Sequence, residues 1–332
     1  MEVVKIGKEI EKDKIDRVVS ALKEGKIAIF PTDTVYGIGA LISKEESIKK
    51  LAKLKKRDSS KKFPILISKI EEGEGFAYFS PLARKMAIKY WPGATTLILK
   101  SRKKLSPFLY DKEGRIALRV PDLPFIQRVI EESGEPLVGT SANLSEGVAP
   151  AGLDDIPEEL KDRVDVIIEG GRTKGRESDI WEMNTEVKRL VRGKVLFICT
   201  GNSCRSVAGE YFLKRFLKEK KIEDINVDSA GILNLEGMPP PLEIKIVLKE
   251  KGIDAESHRS KQVNKEMIED ASLIFVMEER HRESILSTSP QSEDKIVLLD
   301  IPDPIGRSID IYRLVLNKLE EAISENEDCF SI

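Results

Sequence analysis

The sequence of 332 residues lacks the features that direct a chain into or across a membrane. Its apolar runs are much shorter than the roughly 20 residues that a membrane-spanning helix needs. The first residues, MEVVKIGKEIEKDK, carry too many charges for a secretory signal peptide. We therefore expect a cytoplasmic protein that makes no contact with a membrane.

Cysteine and histidine are also scarce, with three and two residues in the whole chain. Three cysteines cannot build a disulfide framework, and Cys199 and Cys204 have no second Cys or His pair at zinc-ligand spacing. Either one of these two cysteines has a reactive thiol, or both thiols are buried and inert. Any histidine chemistry would have to use His258 or His281.

The two standard phosphate-binding motifs, GxxxxGK(S/T) and GxGxxG, are missing, as are internal repeats and a low-complexity linker. Short apolar strands instead alternate with amphipathic helices along the whole chain, which predicts α/β architecture. The pattern changes near Arg192 and Gly193, and the length is sufficient for two cores. We therefore predict two domains, residues 1–193 and 194–332, joined almost without slack.

The two predicted domains differ in regularity. In the first, apolar runs predict strands at 26–30, 63–68, 95–100, 116–120 and 164–169. Helices of this domain are predicted at 13–24, 45–56, 81–90, 124–132 and 154–163. In the second, strands are predicted at 194–199, 225–229, 272–277 and 295–299, with helices at 206–220, 240–252, 279–286 and 308–325. Four strands separated by helices predict a parallel, doubly wound sheet.

Charge is distributed unevenly, although the whole chain carries only −2. Residues 1–193 hold 36 basic and 31 acidic residues, whereas residues 194–332 hold 19 and 26. Within the first part, 44–62 has nine Lys or Arg against three acids. Such a run suits a polyphosphate or a nucleic acid, but a run of charges alone is more often a solvated helix face.

The stretch VLFICTGNSCRS (195–206) places a cysteine at the end of an apolar strand and a helix start near Ser206. A loop of this length can wrap a tetrahedral oxyanion with inward-pointing backbone N–H groups, supported by the helix N-terminus. Gly201 permits a close approach or positive φ, and Asn202 tolerates left-handed geometry while bracing the turn. The stretch therefore predicts a phosphate-binding loop.

The same donors would stabilise a thiolate, so Cys199 needs no histidine to be nucleophilic. Arg205 can bind two phosphate oxygens at once and stabilise the transition state. A displaced leaving group must still be protonated, and Asp303, before Pro304, is the candidate acid. A Cys-x5-Arg spacing or an Asp-Pro turn alone also occurs by chance, but together they indicate catalysis.

Residues 194 to about 325 resemble the low-molecular-weight protein-tyrosine-phosphatase superfamily, in motif order and spacing, through CTGNSCRS (199–206), VDSAG (227–231), GIDAESHRS (252–260) and DPIG (303–306). The resemblance implies a cofactor-free phosphatase that acts on phosphorylated proteins. Cys199 would form a phosphocysteine, Arg205 would bind phosphate, and Asp303 would act as acid and then base. The implied phosphate-binding loop also contains Thr200, Gly201, Asn202, Ser203, Cys204 and Ser206.

Three subtypes of this superfamily compete. Arsenate reductases can carry the same loop but need further cysteines, and the remaining thiol is Cys329 in the tail. Tyrosine phosphatases usually place a bulky aliphatic residue at Ser203 and aromatics at 305–306. Protein-arginine phosphatases place a small hydroxyl residue at the position of Ser203, so phosphoarginine is favoured over phosphotyrosine. Cys204 is either a reversible disulfide partner for Cys199 or a small core residue.

The first half carries a second set of ordered motifs: PTDTVYGIGA (31–40), LKKRDSSKKFPILIS (54–68), YWPGATTLIL (90–99), IALRVPDLP (116–124) and VGTSANLSEG (138–147). Their residue types alone predict a cleft with cations and hydroxyls for an anionic ligand. Residues from about 8 to 193 resemble the threonylcarbamoyl-AMP synthase (YrdC-like) family. That family has a twisted mixed sheet with a concave, positively charged groove. It condenses L-threonine, bicarbonate and ATP into threonylcarbamoyl-adenylate, with release of pyrophosphate, for the t6A37 modification of tRNA.

This second resemblance implies two sets of ligand-binding residues. Threonine would be bound by Thr32, Thr34, Arg119 and Ser178. ATP would be bound by Lys55, Arg57, Ser141, Asn143 and Arg192. Mg²⁺, carried by ATP, is the expected companion of the triphosphate, and the sequence does not identify protein ligands for it. Transfer RNA, or the machinery that completes t6A, would be a further partner.

The chain departs from the synthase pattern in several places. Asp58 follows the Lys-x-Arg motif, Phe63 and Ser68 replace a usual Asn and His, and Asp179 lies where the family has Thr. An RNA-binding module and an inactive synthase therefore remain alternatives for the first half. Against RNA binding, the aromatic-rich pattern that stacks bases is missing.

Overall fold

The computed structural model describes residues 1–7, 9–55, 62–144 and 147–330. The chain forms two compact units, Met1–Lys188 and Arg189–Ile332. Both contain strands and helices, so the α/β prediction is confirmed. The units separate a few residues before the predicted boundary between 193 and 194, and that boundary remains a prediction.

The first unit is built on a mixed sheet. Its strands are β1 (Glu2–Lys5), β2 (Ala28–Pro31), β3 (Tyr36–Leu41), β4 (Ile65–Leu66), β5 (Thr95–Lys100), β6 (Arg115–Arg119), β7 (Leu137–Ser141), β8 (Val166–Glu169) and β9 (Asp179–Met183). They follow the order β1-β8-β2-β3-β7-β4-β6-β5-β9. The β2–β3, β3–β7, β4–β7 and β5–β6 pairs are antiparallel, whereas β1–β8, β2–β8, β4–β6 and β5–β9 are parallel.

The helices of this unit are α1 (Lys12–Lys23), α2 (Glu45–Leu54), α3 (Ile70–Glu74), α4 (Pro81–Tyr90), α5 (Pro124–Ser133) and α6 (Glu158–Lys161). In α1, Ile15, Val18, Val19 and Leu22 lie on one face because they recur at helical spacing. That face packs with buried residues of α5 and the sheet, including Phe30, into one hydrophobic core.

The second unit has the predicted parallel sheet. Its strands are β10 (Lys188–Cys199), β11 (Ile225–Gly231), β12 (Leu273–Val276) and β13 (Ile296–Leu298). They follow the order β11-β10-β12-β13, and every pair is parallel. The helices are α7 (Arg205–Glu219), α8 (Leu242–Glu250), α9 (Lys265–Asp270), α10 (Glu279–Thr288) and α11 (Ile309–Glu325). This arrangement brings the ends of β10 and β12, and the loops that follow them, to one edge of the sheet.

Close packing between α7 and β10 holds the start of this helix against the sheet. A Cβ atom on Gly209 would lie 2.6 Å from the ring of Phe197, so only glycine fits there. Phe197 in turn stacks on Phe275 of β12, with ring centroids 5.0 Å apart. The helix that begins at Arg205 is therefore anchored to the centre of the sheet.

Most predicted elements are found, and several were missed. The strand at 95–100 and the helix at 81–90 lie where they were expected. The helix predicted at 154–163 was wrong, because Pro157 divides it into a 3-10 turn at Leu153–Asp155 and the short α6. Ile156 before the proline is extended, as steric contact with the proline ring favours. Strands β1, β3, β7 and β9, and helices α3 and α9, had not been predicted.

Within the residues that the structure describes, none of the helices combines the length and the apolar character needed to traverse a bilayer.

Candidate functional sites

In the second unit, the loop after β10 adopts a compact turn. Cys199 is buried at the strand end, and α7 begins at Arg205. Asn202 has a φ of 51°, the left-handed geometry that asparagine tolerates. A Cβ atom on Gly231, in the neighbouring strand, would lie 2.8 Å from the Asn202 nitrogen and the Gly201 carbonyl carbon. The loop thus fits against β11 only because residue 231 is glycine.

Asn202 is fully buried and braces this loop from inside. Its Nδ2 donates to Ser206 Oγ at 3.1 Å and to Ser229 Oγ at 2.8 Å. Its Oδ1 accepts the Lys261 backbone N–H at 2.9 Å. Its carbonyl oxygen accepts from Ser260 Oγ at 2.8 Å. Because every polar group of the side chain is used, the loop is held in one conformation.

The nucleophile candidate has a hydroxyl beside it. Cys199 Sγ lies 3.0 Å from Ser206 Oγ, which already accepts a hydrogen bond from Asn202. The Ser206 proton is therefore suitably placed to be donated to the sulfur. Beyond Asn202, Ser229 Oγ donates to Glu210 Oε2 at 2.5 Å, which fixes the far end of the chain of hydrogen bonds. This arrangement gives the sulfur of Cys199 a hydrogen-bond donor that is itself fixed by further hydrogen bonds.

Arg205 is almost completely buried, with 1% of its side chain exposed. Nη1 donates to a Glu278 carboxylate oxygen at 2.5 Å and to the Ile301 carbonyl at 2.9 Å, and Nη2 donates to the Asp303 carboxylate. Its Nε is buried and has no acceptor among the described residues. A buried N–H without a partner costs free energy, which an oxyanion bound in the loop would recover.

Asp303 lies on the loop between β13 and α11 and keeps 28% of its side chain exposed. One oxygen contacts Arg205, and the other accepts the Ile305 backbone N–H at 3.2 Å. An exposed carboxylate on a loop can reach a bound substrate. The structure therefore brings the predicted acid to the predicted phosphate-binding arginine, which belongs to the same loop as Cys199.

Two residues of this site were missed by sequence reasoning. Glu278 immediately precedes α10, and although burial raises the pKa of its carboxyl, hydrogen bonds from Arg205 and Arg280 outweigh this and hold it below its ordinary value. His281 is fully buried; burial, and then the charge of Arg205, lower its pKa to about 4. Its Nε2 lies 3.0 Å from Thr200 Oγ1. The signal in the sequence that could have identified them is the spacing of Glu278 and His281, three residues apart at the start of a helix.

Other predicted loop residues occupy the rim and the interior. A Cβ atom on Gly201 would lie 2.8 Å from Leu235 Cδ1, so the loop closes against the segment after β11. Cys204 is a buried free thiol, and burial and the neighbouring Cys199 hold its pKa well above the usual range. Ser203 is partly exposed within the loop, while Ile305, beside Asp303, is 61% exposed. The mouth of the site is therefore partly apolar.

In the first unit, the PTDT segment forms a tight turn after β2. Thr32 Oγ1 accepts the backbone N–H groups of Thr34 and Val35, both at 3.2 Å, and lies 2.8 Å from Thr34 Oγ1. Arg119, at the end of β6, donates through Nη1 to Thr34 Oγ1 at 2.9 Å. Through Nη2 it donates to Asp33 Oδ1 at 2.6 Å. The predicted threonine-binding residues Thr32, Thr34 and Arg119 are therefore adjacent.

A second group of predicted residues surrounds a buried lysine. Lys55 follows α2 and is only 3% exposed. Its Nζ donates to the Ser141 carbonyl at 2.8 Å and to the carbonyl and Oδ1 of Asn143, both at 2.6 Å. Ser141 Oγ also donates to Asn143 Oδ1 at 2.8 Å. Three of the predicted ATP-binding residues are therefore in direct contact.

The remaining predicted residues of this unit are placed less completely. Ser178 is buried before β9, with its Oγ 2.9 Å from Thr96 Oγ1. Arg57 and Asp58 lie outside the described residues. Arg192 belongs to β10, in the part of the chain assigned to the second unit, so its role in ATP binding stays a prediction.

The departures from the synthase pattern have structural roles. Phe63 is buried in the core, with 1% exposed. Ser68 donates to Glu72 through both its backbone N–H, at 2.7 Å, and its hydroxyl, at 3.0 Å. Asp179 accepts from Arg176 at 2.6 Å. Within the described residues, no group of three or more His, Cys, Asp or Glu side chains could hold a metal ion.

Comparisons with known proteins match the two units separately. The Sua5/YciO/YrdC family model, described as telomere recombination, matches residues 20–193. The model described as low molecular weight phosphotyrosine protein phosphatase matches residues 194–326. Among curated proteins, a threonylcarbamoyl-AMP synthase of Photobacterium profundum is 32% identical over 170 residues, covering 50% of this chain and 91% of the relative.

A protein-arginine-phosphatase of Geobacillus stearothermophilus is 37% identical over 139 residues, which cover 39% of this chain and 90% of that protein. Among solved structures, E. coli YciO matches 57% of this chain and 93% of its own, with a TM-score of 0.54 and 23% identity. At that identity the structural match indicates a shared fold alone.

Proposed function

Because the chain belongs to the Sua5/YciO/YrdC family in its first half and to the low molecular weight phosphotyrosine protein phosphatase family in its second, we propose that it is a bifunctional enzyme. The first half makes L-threonylcarbamoyladenylate, and the second is a cysteine-dependent protein phosphatase. The observation that carries the phosphatase assignment is the contact between Arg205 and Asp303 beside the loop of Cys199.

In the proposed phosphatase reaction, the Cys199 thiolate attacks phosphorus, and the bond from phosphorus to the leaving atom breaks. The protonated Asp303 carboxyl donates its proton to that atom, because the exposed loop position lets it reach the leaving group. Asp303 then accepts a proton from water, whose oxygen displaces the sulfur and releases inorganic phosphate. The buried Nε of Arg205 and the backbone N–H groups of the loop stabilise the oxyanion in both steps.

We propose phosphoarginine as the favoured substrate, with phosphotyrosine as the alternative. Ser203 leaves space at the rim where a bulky aliphatic residue would pack on a phenyl ring, and Ile305 and Gly306 offer no aromatic partner. The similarity to a protein-arginine-phosphatase supports this choice. Arsenate reduction is disfavoured because it needs further cysteines for a disulfide relay: α10 carries no cysteine, and the remaining one, Cys329, follows α11.

In the proposed synthase reaction, L-threonine, bicarbonate and ATP yield threonylcarbamoyladenylate, pyrophosphate and water. Arg119 pairs with the threonine carboxylate beside Thr34, because a planar guanidinium matches a carboxylate. Lys55, with Ser141 and Asn143, binds the phosphates and ribose of ATP, and Lys55 exchanges at least one of its contacts with Ser141 and Asn143 for a phosphate oxygen. We propose that Mg²⁺ arrives with the triphosphate, whose oxygens it prefers. A cytoplasmic location and a downstream partner, either tRNA or the machinery that completes t6A, follow from this assignment.

The phosphatase assignment is tested with p-nitrophenyl phosphate and with phosphoarginine and phosphotyrosine peptides. We expect Cys199→Ser to abolish hydrolysis and leave adenylate synthesis intact, whereas Cys329→Ser serves as the matched thiol control. Ser203→Ile should shift the preference toward phosphotyrosine. If Cys199→Ser removed both activities from a folded chain, two independent sites would be ruled out.

The synthase assignment is tested by pyrophosphate release that depends on both threonine and bicarbonate. Arg119→Gln should suppress it, and Arg128→Gln, at an exposed position of α5, is the matched control. Tight, salt-sensitive tRNA binding without pyrophosphate release would instead favour an RNA-binding module. Absence of both would favour an inactive synthase.

A further inference from the structure

We propose that His281 is a positioning residue that holds the Thr200 hydroxyl as a hydrogen-bond donor to the substrate's phosphoryl group. The proposal rests on the proposed phosphatase function of the second unit. It gives a function to two side chains, His281 and Thr200, that take no part in the proposed reaction of Cys199, Arg205 and Asp303. The argument depends on where the protons of three hydrogen bonds lie.

The tautomer of His281 follows from its backbone contact. Its Nδ1 lies 3.0 Å from the Glu278 backbone nitrogen, which can only donate. Nδ1 is therefore the acceptor and carries no proton, and in a neutral imidazole the proton must be on Nε2. Nε2 lies 3.0 Å from Thr200 Oγ1, so His281 donates to the threonine hydroxyl. The neutral form is expected, because burial and Arg205 lower the pKa of His281 to about 4.

The Thr200 hydroxyl receives a second, longer hydrogen bond. Arg205 Nη2 donates to Thr200 Oγ1 at 3.4 Å. With two donors directed at its oxygen, the hydroxyl has its own proton left to give. Among the described residues, these two nitrogen donors are the hydrogen-bond partners found for Thr200 Oγ1, and neither can accept its proton. The proton therefore has no acceptor within the described protein.

The position of Thr200 indicates what that acceptor is. Thr200 directly follows Cys199, and the Nη2 atom that contacts Thr200 also contacts Asp303. The hydroxyl thus belongs to the residue next to the proposed nucleophile and contacts the guanidinium nitrogen that also contacts the proposed acid, so it is close to the groups between which a transferred phosphoryl group would be bound. A phosphoryl group offers three negatively charged oxygens, which are strong acceptors.

His281 also stabilises the start of α10. Its Nδ1 binds the backbone N–H of Glu278, the residue whose carboxylate binds Arg205. The two functions can be separated by substitution. Asparagine can place its Oδ1 near the Nδ1 position, which keeps the acceptor for Glu278 but removes the donor to Thr200. Glutamine can place its N–H near the Nε2 position, which keeps that donor and removes the acceptor.

The experiment has two measurements. The first is kcat/KM for p-nitrophenyl phosphate, measured on the full chain with Cys199 intact. The second is the binding of inorganic phosphate, measured on the full chain carrying Cys199→Ser. We expect Thr200→Val and His281→Asn each to weaken phosphate binding and lower kcat/KM about tenfold, as for loss of one hydrogen bond to a charged group. The double variant should be no worse than Thr200→Val alone. Thr200→Ser and His281→Gln should restore most of the loss, and Thr288→Val, exposed on α10, is the control.

Each outcome decides one question. If His281→Asn is impaired while Thr200→Val is not, or if the two losses add, His281 acts only through Glu278 and the proposal is wrong. If wild type hydrolyses the ester and neither variant changes, the proposal also fails while the phosphatase function stands. If wild type hydrolyses no phosphorylated compound but phosphate binding still depends on both side chains, the proposal stands and the phosphatase function is wrong.

Discussion

Acid should destabilise the second unit through one group, His281. Its side chain is 0% exposed, and burial, followed by the positive charges of Arg205 and Arg280, lowers its pKa from 6.5 to about 4. Glu278 and Asp303 act in the opposite direction but do not compensate. Protonation would also remove the acceptor for the Glu278 backbone N–H at the start of α10. We therefore expect the folded state to resist protonation of His281.

The magnitude follows from linkage. Because the pKa of His281 is lower in the folded state, the unfolded state takes up the proton first as the pH falls. The stabilisation is fully present above pH 6.5 and is lost as the pH falls from 6.5 through 4. Between pH 7.5 and pH 5, this one group should lower the free energy of unfolding by about 2 kcal/mol. A variant without the imidazole should lack that part of the pH dependence.

Two measurements check this expectation. The chain has only two histidines, so proton NMR of the imidazole C–H signals can follow both, and the signal absent from His281→Asn identifies His281. Denaturant unfolding of wild type and His281→Asn at pH 7.5 and pH 5 then gives the difference in pH dependence. An imidazole that titrates near 6.5, or a difference between the two proteins that is the same at both pH values, would refute the reasoning.

Three further predictions concern single contacts. Ser206→Ala removes the donor beside Cys199, so the rate of iodoacetamide alkylation of Cys199 at neutral pH should fall about tenfold. Asp33→Ala removes the carboxylate that contacts Arg119, so the free energy of unfolding should fall by about 3 kcal/mol, and the KM for threonine should fall relative to the KM for ATP because the substrate carboxylate no longer competes with Asp33. Gly231→Ala forces a Cβ atom against the loop at 199–206, which should lower the free energy of unfolding by about 2 kcal/mol and lower the proposed phosphatase activity.

The strand-loop-helix geometry of 195–206 could be predicted from sequence because its parts are contiguous. Cys199, Asn202 and Arg205 occur within seven positions, directly between an apolar strand and a helix. Glu278 and His281 could not be assigned in the same way. A Glu at a helix start usually faces solvent, and only the approach of α10 to the buried Arg205 makes this one part of the site.

Strands β3 and β7 show the opposite difficulty. Their sequences, YGIGAL and LVGTS, contain glycines that are typical of turns, and neither segment was predicted to be a strand. In the structure, a Cβ atom on Gly39 would lie 2.1 Å from the Val138 carbonyl oxygen. Glycine is required here because two strand backbones approach closely, and a single sequence does not distinguish this from a turn.

In both proposed sites, the arginine assigned to the substrate forms an ion pair within the protein, which could not be predicted from the sequence. Arg119 and Arg205, each assigned to an anionic substrate, already contact a carboxylate of their own unit, Asp33 and Asp303 respectively. A buried guanidinium without a counter-charge would be costly, so the resting enzyme keeps the pair intact. An anionic substrate must then displace the Asp33 or Asp303 carboxylate from its arginine. Because both groups are negatively charged, charge alone gives the substrate little advantage. Each proposed substrate must therefore supply further contacts, and in the proposed phosphatase reaction the same displacement would free Asp303 to act on the leaving group.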